Sequence, residues 1–213
     1  MPKQTFFNLP NEKKESLIQA AMKEFSRVPL SEASISNIIK EAAIPRGSFY
    51  QYFEDKEDLF YFLLEEYSKQ LRARFLTILK KQDGDIIASY IESFEMMLVN
   101  LQNKEFRYFF RNAFLNMNYR VENTLSKSVT DETLSSRFTE LVELVNTDHL
   151  NILDKSELFR VFKILKAMTI QNLIQVFAQD LPIEESVKNY TMELNMIKRG
   201  LYKQDELVRR NME

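Results

Sequence analysis

The sequence predicts an all-α protein, and three observations support that fold class. Only three glycines and five prolines occur in 213 residues, which is less punctuation than sheets and glycine-rich loops need. Apolar residues recur at three- and four-residue spacing along most of the chain. The breaks between these periodic segments are short. We therefore predict about nine helices, with a compact three-helix N-terminal unit followed by a larger helical bundle.

The first predicted helix runs from about Asn11 to Arg27. Its apolar face comprises Leu17, Ile18, Ala21 and Phe25, with lysines and glutamates between them, as in an amphipathic helix. The Val28-Pro29 step ends this helix, because the residue before a proline is pushed out of the α region.

Two short helices follow, Ser34–Ala42 and Pro45–Tyr50, joined by a tight turn. Ser34 is a suitable N-cap, since its hydroxyl can accept a hydrogen bond from a free backbone N–H of the first turn. The buried face of the first short helix is expected to contain Ile35, Ile38, Ile39 and Ala42. Phe49 and Phe53 are expected to face inward. This spacing is typical of a helix-turn-helix, whose second helix enters the DNA major groove.

The second short helix begins with Pro45, Arg46, Gly47 and Ser48. Small side chains let a backbone approach base edges closely, and an arginine can donate a forked pair of hydrogen bonds to guanine. Arg46 is the expected base reader, although a solvated surface arginine is the alternative at this position. Tyr50 could equally pack in the core.

The remaining chain predicts longer helices. Asp55 is expected to cap a fourth helix that continues to the break at 82–85. Further helices are expected at about 85–102, 104–118, 122–147, 156–179 and 183–202, with Ser156 and Asp180 at cap or turn positions. We divide the chain into two predicted domains, residues 9–55 and residues 56–213.

Composition argues against several classes of protein. The chain has no cysteine, one histidine (His149) and no GxSxG motif, so a zinc site, a catalytic triad and a cofactor are not expected. We predict no enzyme activity. No signal peptide and no run of about 18 apolar residues is evident, so we expect a cytoplasmic protein outside the membrane.

Charge supports DNA binding only weakly. The formal net charge of the chain is −2, whereas seven basic and five acidic residues give residues 1–53 a charge of +2. The acidic stretch Glu54–Asp58 should weaken nonspecific attraction to DNA.

The stretch from Ser34 to Leu59, SISNIIKEAAIPRGSFYQYFEDKEDL, resembles the DNA-binding domain of the TetR family of transcriptional regulators. Ile18, Ala21 and Phe25 match the first helix of that family, and the resemblance covers roughly residues 9–65. It implies phosphate contacts by Tyr50, Tyr52 and Lys56, and phosphate or base contacts by Ser34 and Ser36. It further implies that Pro45, Arg46, Gly47, Ser48 and Gln51 read the groove or lie beside it. One departure is Ala43, at a turn position where the family usually has a glycine.

The resemblance also implies a ligand-binding bundle and a homodimer. An apolar effector pocket is expected to involve Phe94, Met97, Phe110, Phe114 and Phe177, although aromatic residues at helical spacing are more often simply core. The helices at 156–179 and 183–202 have broad apolar faces that suit a four-helix dimer interface, with packing inside one chain as the alternative.

The sequence therefore predicts a repressor that a small hydrophobic effector releases from a palindromic operator. The competing interpretation is an α-helical carrier or interaction protein whose N-terminal unit never contacts DNA.

Overall fold

The computed structural model describes residues 1–116, 120–122, 124 and 134–202. Ten helices have their bounds within these residues: α1 Gln4–Phe7, α2 Asn11–Arg27, α3 Ile35–Glu41, α4 Arg46–Tyr52, α5 Lys56–Lys81, α6 Ile86–Asn100, α7 Lys104–Leu115, α8 Leu134–Leu144, α9 Lys155–Gln179 and α10 Ile183–Leu201. The described part of the chain has no β-strand, only an isolated bridge between Leu150 and Tyr202. The all-α fold class is confirmed.

Most predicted helices occur where the hydrophobic periodicity placed them. The bounds of α2 are those predicted, and those of α3 and α4 differ from the prediction by two residues or fewer. Helix α1 was not predicted from the sequence. Of the segment predicted at 122–147, only Leu134–Leu144 is described as a long helix, and most of residues 123–133 lie outside the description, as does the predicted end of the 104–118 helix.

The predicted break at 82–85 is confirmed and depends on a glycine. Gly84 has φ +81°, and a Cβ at this position would collide with the backbone of Leu144 and Asn146. Its carbonyl accepts a hydrogen bond from the Asn146 N–H at 3.1 Å. Only glycine can adopt this positive φ and also leave room for the nearby backbone of Leu144 and Asn146.

The chain divides into two compact units. The head unit comprises Met1–Gln70 and Asn100–Lys127, and the bundle unit comprises Leu71–Val99 and Ser128–Glu213. The head unit thus contains α1 to α4, the first part of α5, and α7, while α8, α9 and α10 belong to the bundle unit.

An aromatic core holds the head unit together. The Phe60 ring lies between those of Phe25 and Phe109, at centroid distances of 5.2 and 5.4 Å. The Asn112 amide on α7 donates to the carbonyls at the end of α2, 2.9 Å from Phe25 O. Helix α7 therefore packs against α2, the helix that precedes the helix-turn-helix, by both ring contacts and hydrogen bonds.

The bundle unit combines apolar packing with a few buried hydroxyls and amides. The Phe94 ring lies 4.1 Å from that of Tyr190, and the Tyr190 hydroxyl is 2.7 Å from Thr169 Oγ1. Burial is the main cause of a raised pKa at Tyr190, which keeps its phenol protonated. These contacts join α9 to α6 and α10.

The start of α9 differs from the prediction. The cap is the Asp154 carboxylate, which accepts from the N–H groups of Ser156 and Glu157 at 2.8 and 3.0 Å, rather than Ser156. A carboxylate at this position satisfies two free donors and complements the helix dipole. Asp180 ends the helix with φ +51°, as a turn residue.

Helix α9 is also the one described helix that is long and apolar enough, by length and composition, to cross a membrane. It contains no unbroken run of about 18 apolar residues, because Lys163 and Lys166 interrupt it. Its Leu158, Phe162 and Leu165 side chains are buried within the unit, which is typical of a core helix.

Candidate nucleic-acid interface

A tight turn connects α3 to α4 and sets the start of the second helix. Ala43 adopts φ +52°. The N–H of Ile44 donates to Ile39 O at 3.0 Å and that of Ala43 to Lys40 O at 3.3 Å. These are the two hydrogen bonds of a Schellman motif, in which glycine normally occupies the left-handed position. The turn thus keeps the geometry expected for glycine and carries a Cβ in it.

The N-terminus of α3 is held by a buried glutamate that sequence reasoning did not single out. The Glu24 carboxylate accepts from Ser34 N at 2.8 Å and from Asn37 Nδ2 at 3.1 Å. It also receives two hydrogen bonds from the Arg27 guanidinium, at 2.9 and 2.8 Å. The sequence does show Glu24 and Arg27 at i,i+3 spacing. On an amphipathic helix, however, that spacing is typical of an ion pair on the surface.

Two consequences follow from this carboxylate. The hydrogen bonds from Arg27, with those from Ser34 and Asn37, hold the pKa of Glu24 below its usual range despite its burial. Ser34 does occupy the N-cap position, but its hydroxyl makes no capping hydrogen bond, contrary to expectation. The Glu24 carboxylate instead accepts a hydrogen bond from the Ser34 N–H and holds the N-terminal end of α3 in place.

The ten residues expected to contact DNA are all at least partly exposed. Ser36, Pro45, Arg46, Gly47, Tyr50 and Gln51 are exposed, and Ser34, Ser48, Tyr52 and Lys56 are half-buried. Between them, Phe49 and Phe53 are completely buried and face inward as predicted. The exposed side of α4 is thus set by the anchoring of its opposite side in the aromatic core.

Arg46, Ser36 and Tyr50 come together on this exposed side. The Arg46 guanidinium lies 3.4 Å from Ser36 Oγ and 3.3 Å from the Tyr50 hydroxyl. Its carbon is 5.8 Å from the centroid of the Tyr50 ring. Tyr50 is 38% exposed, so it does not pack in the core, the alternative considered from the sequence. Hydrogen bonds of this length are weak, which leaves the guanidinium available to a stronger partner.

Gly47 lies beside Arg46 in the first turn of α4. A Cβ at this position would meet nothing within 4 Å, and its backbone is helical. Neither packing nor a left-handed conformation therefore requires a glycine here.

Lys56 makes a contact that the sequence did not indicate. Its ammonium donates to Ser31 O at 2.8 Å and to Ala33 O at 2.9 Å. These bonds tie the start of α5 to the loop that precedes α3. An ammonium has three donors, so a third hydrogen remains for the expected phosphate contact.

The five residues expected to line an effector pocket are divided between the two units. Phe110 and Phe114 belong to the head unit, with centroids 6.3 Å apart, and Phe110 also lies 4.3 Å from Tyr67. Phe94, Met97 and Phe177 belong to the bundle unit. Among the described residues, no group of three or more His, Cys, Asp or Glu side chains could hold a metal ion.

The fold and this exposed face define a helix-turn-helix protein with a helical C-terminal region. Family models agree in two places: residues 17–61 match "Bacterial regulatory proteins, tetR family", and residues 85–201 match "Tetracyclin repressor-like, C-terminal domain". Since the second match alone covers more than half of the chain, this chain belongs to the TetR family of transcriptional regulators. It is a DNA-binding regulator of transcription and not an enzyme.

The similarity to an individual curated sequence covers a smaller part of the chain. The chain is 33% identical over 96 residues, 45% of its length, to the uncharacterized HTH-type transcriptional regulator YuxN of Bacillus subtilis, of which the match spans only a third (33%). Solved structures that share the fold include the following two. Bacillus subtilis FadR in complex with stearoyl-CoA is 13% identical with TM-score 0.60, covering 84% of this chain and 96% of that one. SmeT, the repressor of the Stenotrophomonas maltophilia multidrug efflux pump SmeDEF, is 12% identical with TM-score 0.59, covering 91% and 94%.

Proposed function

We propose that this chain is a cytoplasmic repressor that binds a palindromic operator as a homodimer and is released by a small hydrophobic effector. Residues 9–55 would bind DNA, and residues 56–213 would bind the effector and form the dimer. The observation that carries the DNA-binding part is the exposed face of α4. There Arg46 lies between Ser36 and Tyr50, beside a glycine that the fold itself does not need.

In this proposal the N-terminal half of α4 enters the major groove. Arg46 exchanges its long bonds to Ser36 and Tyr50 for the two acceptors of a guanine. Pro45, Gly47 and Ser48 are small enough for the backbone to approach the bases, and Gln51 lies one turn further on. Phosphate contacts come from Tyr50, Tyr52 and Lys56, and they set the register of the helix in the groove. Ser34 and Ser36 contact a phosphate or a base edge.

The dimer would form through α9 and α10. Ile164 on α9, and Met192 and Met196 one turn apart on α10, are each more than half exposed. Exposed apolar side chains at this spacing are what a helix-helix interface covers. A two-fold dimer then presents two copies of α4 about 34–36 Å apart, one turn of DNA.

The effector part rests on the family and on two relatives of the fold. FadR is described with stearoyl-CoA bound, and SmeT is described as a repressor. We propose that Phe94, Met97 and Phe177 contribute to a hydrophobic effector site within the bundle unit. Phe110 and Phe114 belong to the head unit, and for them an effector contact stays a prediction from the sequence. Helix α5, continuous from Lys56 to Lys81, would then couple that site to the DNA-binding helices by shifting the population of two conformers.

A glycine variant on α4 tests DNA binding. Gly47→Ala should leave stability unchanged or raise it by up to about 1 kcal/mol, because alanine favours the helix. Operator affinity should nevertheless fall at least about tenfold, because the methyl group separates the backbone from the bases. The measurement is a binding titration against the DNA upstream of the chain's own gene.

Gln19→Ala is the control, since Gln19 is exposed on α2 and lies outside both α4 and the proposed dimer helices. It should change neither operator affinity nor its dependence on salt. Full operator affinity in Gly47→Ala would show that this face of α4 does not approach the bases.

The dimer is tested by placing charges on α10. The double variant Met192→Glu and Met196→Glu should sediment as a monomer and lose operator affinity by about 100-fold or more, since two half-sites no longer bind together. Leu153→Glu is the control, because Leu153 is 89% exposed and precedes α9. A dimeric double variant would exclude α10 from the interface.

A further inference from the structure

Lys3, Thr5 and Phe6 contact residues at the C-terminal end of α4. Helix α1, Gln4–Phe7, was not evident from the sequence. It is anchored by Phe6, which is 2% exposed. The Phe6 ring lies 4.9 Å from that of Phe53, the residue after α4, and 5.3 Å from that of Phe62 on α5.

This anchored segment caps α4. The last four carbonyls of a helix have no partner within the helix, and in α4 these belong to Phe49, Tyr50, Gln51 and Tyr52. The Phe49 carbonyl accepts from the N–H of Phe53 at 2.9 Å. The other three carbonyls all accept from the N-terminal segment.

Lys3 supplies two of these bonds. Its ammonium donates to Tyr50 O at 2.8 Å, and its backbone N–H donates to Tyr52 O at 2.8 Å. The Thr5 hydroxyl supplies the third, to Gln51 O. A cation at a helix C-terminus also interacts favourably with the helix dipole. Every carbonyl at the end of α4 therefore has a donor.

A seven-residue helix needs such support. Isolated helices of this length are not stable in water, and the residues whose carbonyls are capped include Tyr50 and Gln51, which we place at the DNA. If the last turn of α4 opened, the Tyr50 hydroxyl would lose its position relative to Arg46 and to the phosphate.

We propose that Lys3 and Thr5 are positioning residues for operator recognition, which hold the C-terminal turn of α4 in its helical form. This inference rests on the proposed function of α4. Lys3 acts here through the backbone of α4 rather than through a phosphate of its own. The two roles make different predictions, because a phosphate contact contributes equally to any DNA sequence, whereas a positioned reader contributes only to the correct one.

The experiment uses the full-length chain with Lys3→Met, which keeps the length of the side chain and removes its ammonium, and with Thr5→Val. Lys3→Arg tests rescue, and Lys13→Met is the charge-matched control, an exposed lysine on α2. Affinity is measured for the operator and for a scrambled duplex over a salt series. Amide hydrogen exchange is measured on the free protein.

In Lys3→Met, operator affinity should fall roughly tenfold, while affinity for the scrambled duplex stays within about twofold of wild type. The amides of Tyr50 to Phe53 should exchange roughly fivefold faster, corresponding to the loss of one hydrogen bond. Thr5→Val should show both effects more weakly, Lys3→Arg should restore both, and Lys13→Met should show neither.

Three results would overturn the inference. Equal losses for both duplexes, with the salt slope reduced by about 0.9 per protomer, would make Lys3 a phosphate contact. Unchanged exchange in α4 would show that the segment does not hold the helix, whatever the DNA data. Faster exchange with unchanged selectivity would reduce the contact to a purely structural one. A wild-type chain that selects no operator while Lys3→Met still speeds exchange would instead refute the proposed function.

Discussion

The head and bundle units hold their helices by different means. In the head unit, α3 and α4 have seven residues each, and their ends are bound by side chains distant in sequence: Glu24 at the start of α3 and Lys3 at the end of α4. In the bundle unit, α9 and α10 have 25 and 19 residues. They pack through buried rings and aliphatic side chains, such as Phe94 against Tyr190.

The difference follows from helix length. A long amphipathic helix satisfies most of its own backbone groups and buries enough apolar area to be stable. In a seven-residue helix, more than half of the backbone N–H or C=O groups lie at an end. In the head unit α4 is exposed on one side and is bound at its ends, which leaves its outer face accessible.

The largest expected effect is that of removing a carboxylate from the head unit. Glu24→Ala leaves Ser34 N, Asn37 and Arg27 without their acceptor, and should lower the free energy of unfolding by about 3 kcal/mol. The matched bundle variant is Glu193→Ala, which removes one hydrogen bond of 2.7 Å from Asn172 and should cost about 1 kcal/mol. Urea denaturation followed by circular dichroism measures both. Equal losses would contradict the contrast between the units.

We expect acid to remove more stabilisation at Glu24 in the head unit than at Glu92 in the bundle unit. Arg27 in the head and Lys81 in the bundle are the main causes of lowered pKa values at Glu24 and Glu92. A carboxyl group whose pKa is lower in the folded chain stabilises it above the ordinary pKa of about 4.3, and this contribution is lost as the pH falls below that value.

The Glu24 side chain is 5% exposed and that of Glu92 is 22% exposed, so the Glu24 contribution is less screened by solvent. Between about pH 6 and about pH 3.5, urea midpoints should therefore depend less on pH in Glu24→Gln than in wild type. Glu92→Gln should reduce the dependence less. A larger reduction in Glu92→Gln would reverse the expected order.

The smallest expected effect on stability concerns two residues with a left-handed backbone conformation, one in each unit. Ala43→Gly relieves a Cβ at φ +52°, and should raise the melting temperature by an amount equivalent to about 0.5 kcal/mol after the entropy cost of glycine. Asp180, at φ +51°, tolerates this conformation better than alanine does, so Asp180→Gly should change stability by less than about 0.3 kcal/mol. Destabilisation by Ala43→Gly would show that the methyl group contributes packing that outweighs its strain.

The sequence was most informative where local rules operate. Apolar spacing predicted α2 and α5 to α7 closely, and the Val28-Pro29 step predicted where α2 ends. The expectation that Phe49 and Phe53 face inward is confirmed by their burial, since side chains four residues apart lie on the same side of a helix. It did not reveal α1, which has only four residues and is stabilised by the burial of Phe6 against Phe53 and Phe62.

By itself, then, the sequence determined the helical fold class, the short helices at the turn and the family to which they belong, because periodicity and breaker residues act over a few positions. Only the tertiary structure decided which polar groups meet. Glu24 reaches Ser34, Lys56 reaches Ala33 and Lys3 reaches Tyr50 across 10, 23 and 47 residues of chain. Such contacts leave no periodic trace, since each depends on how separate helices pack before a single donor can find its carbonyl or carboxylate.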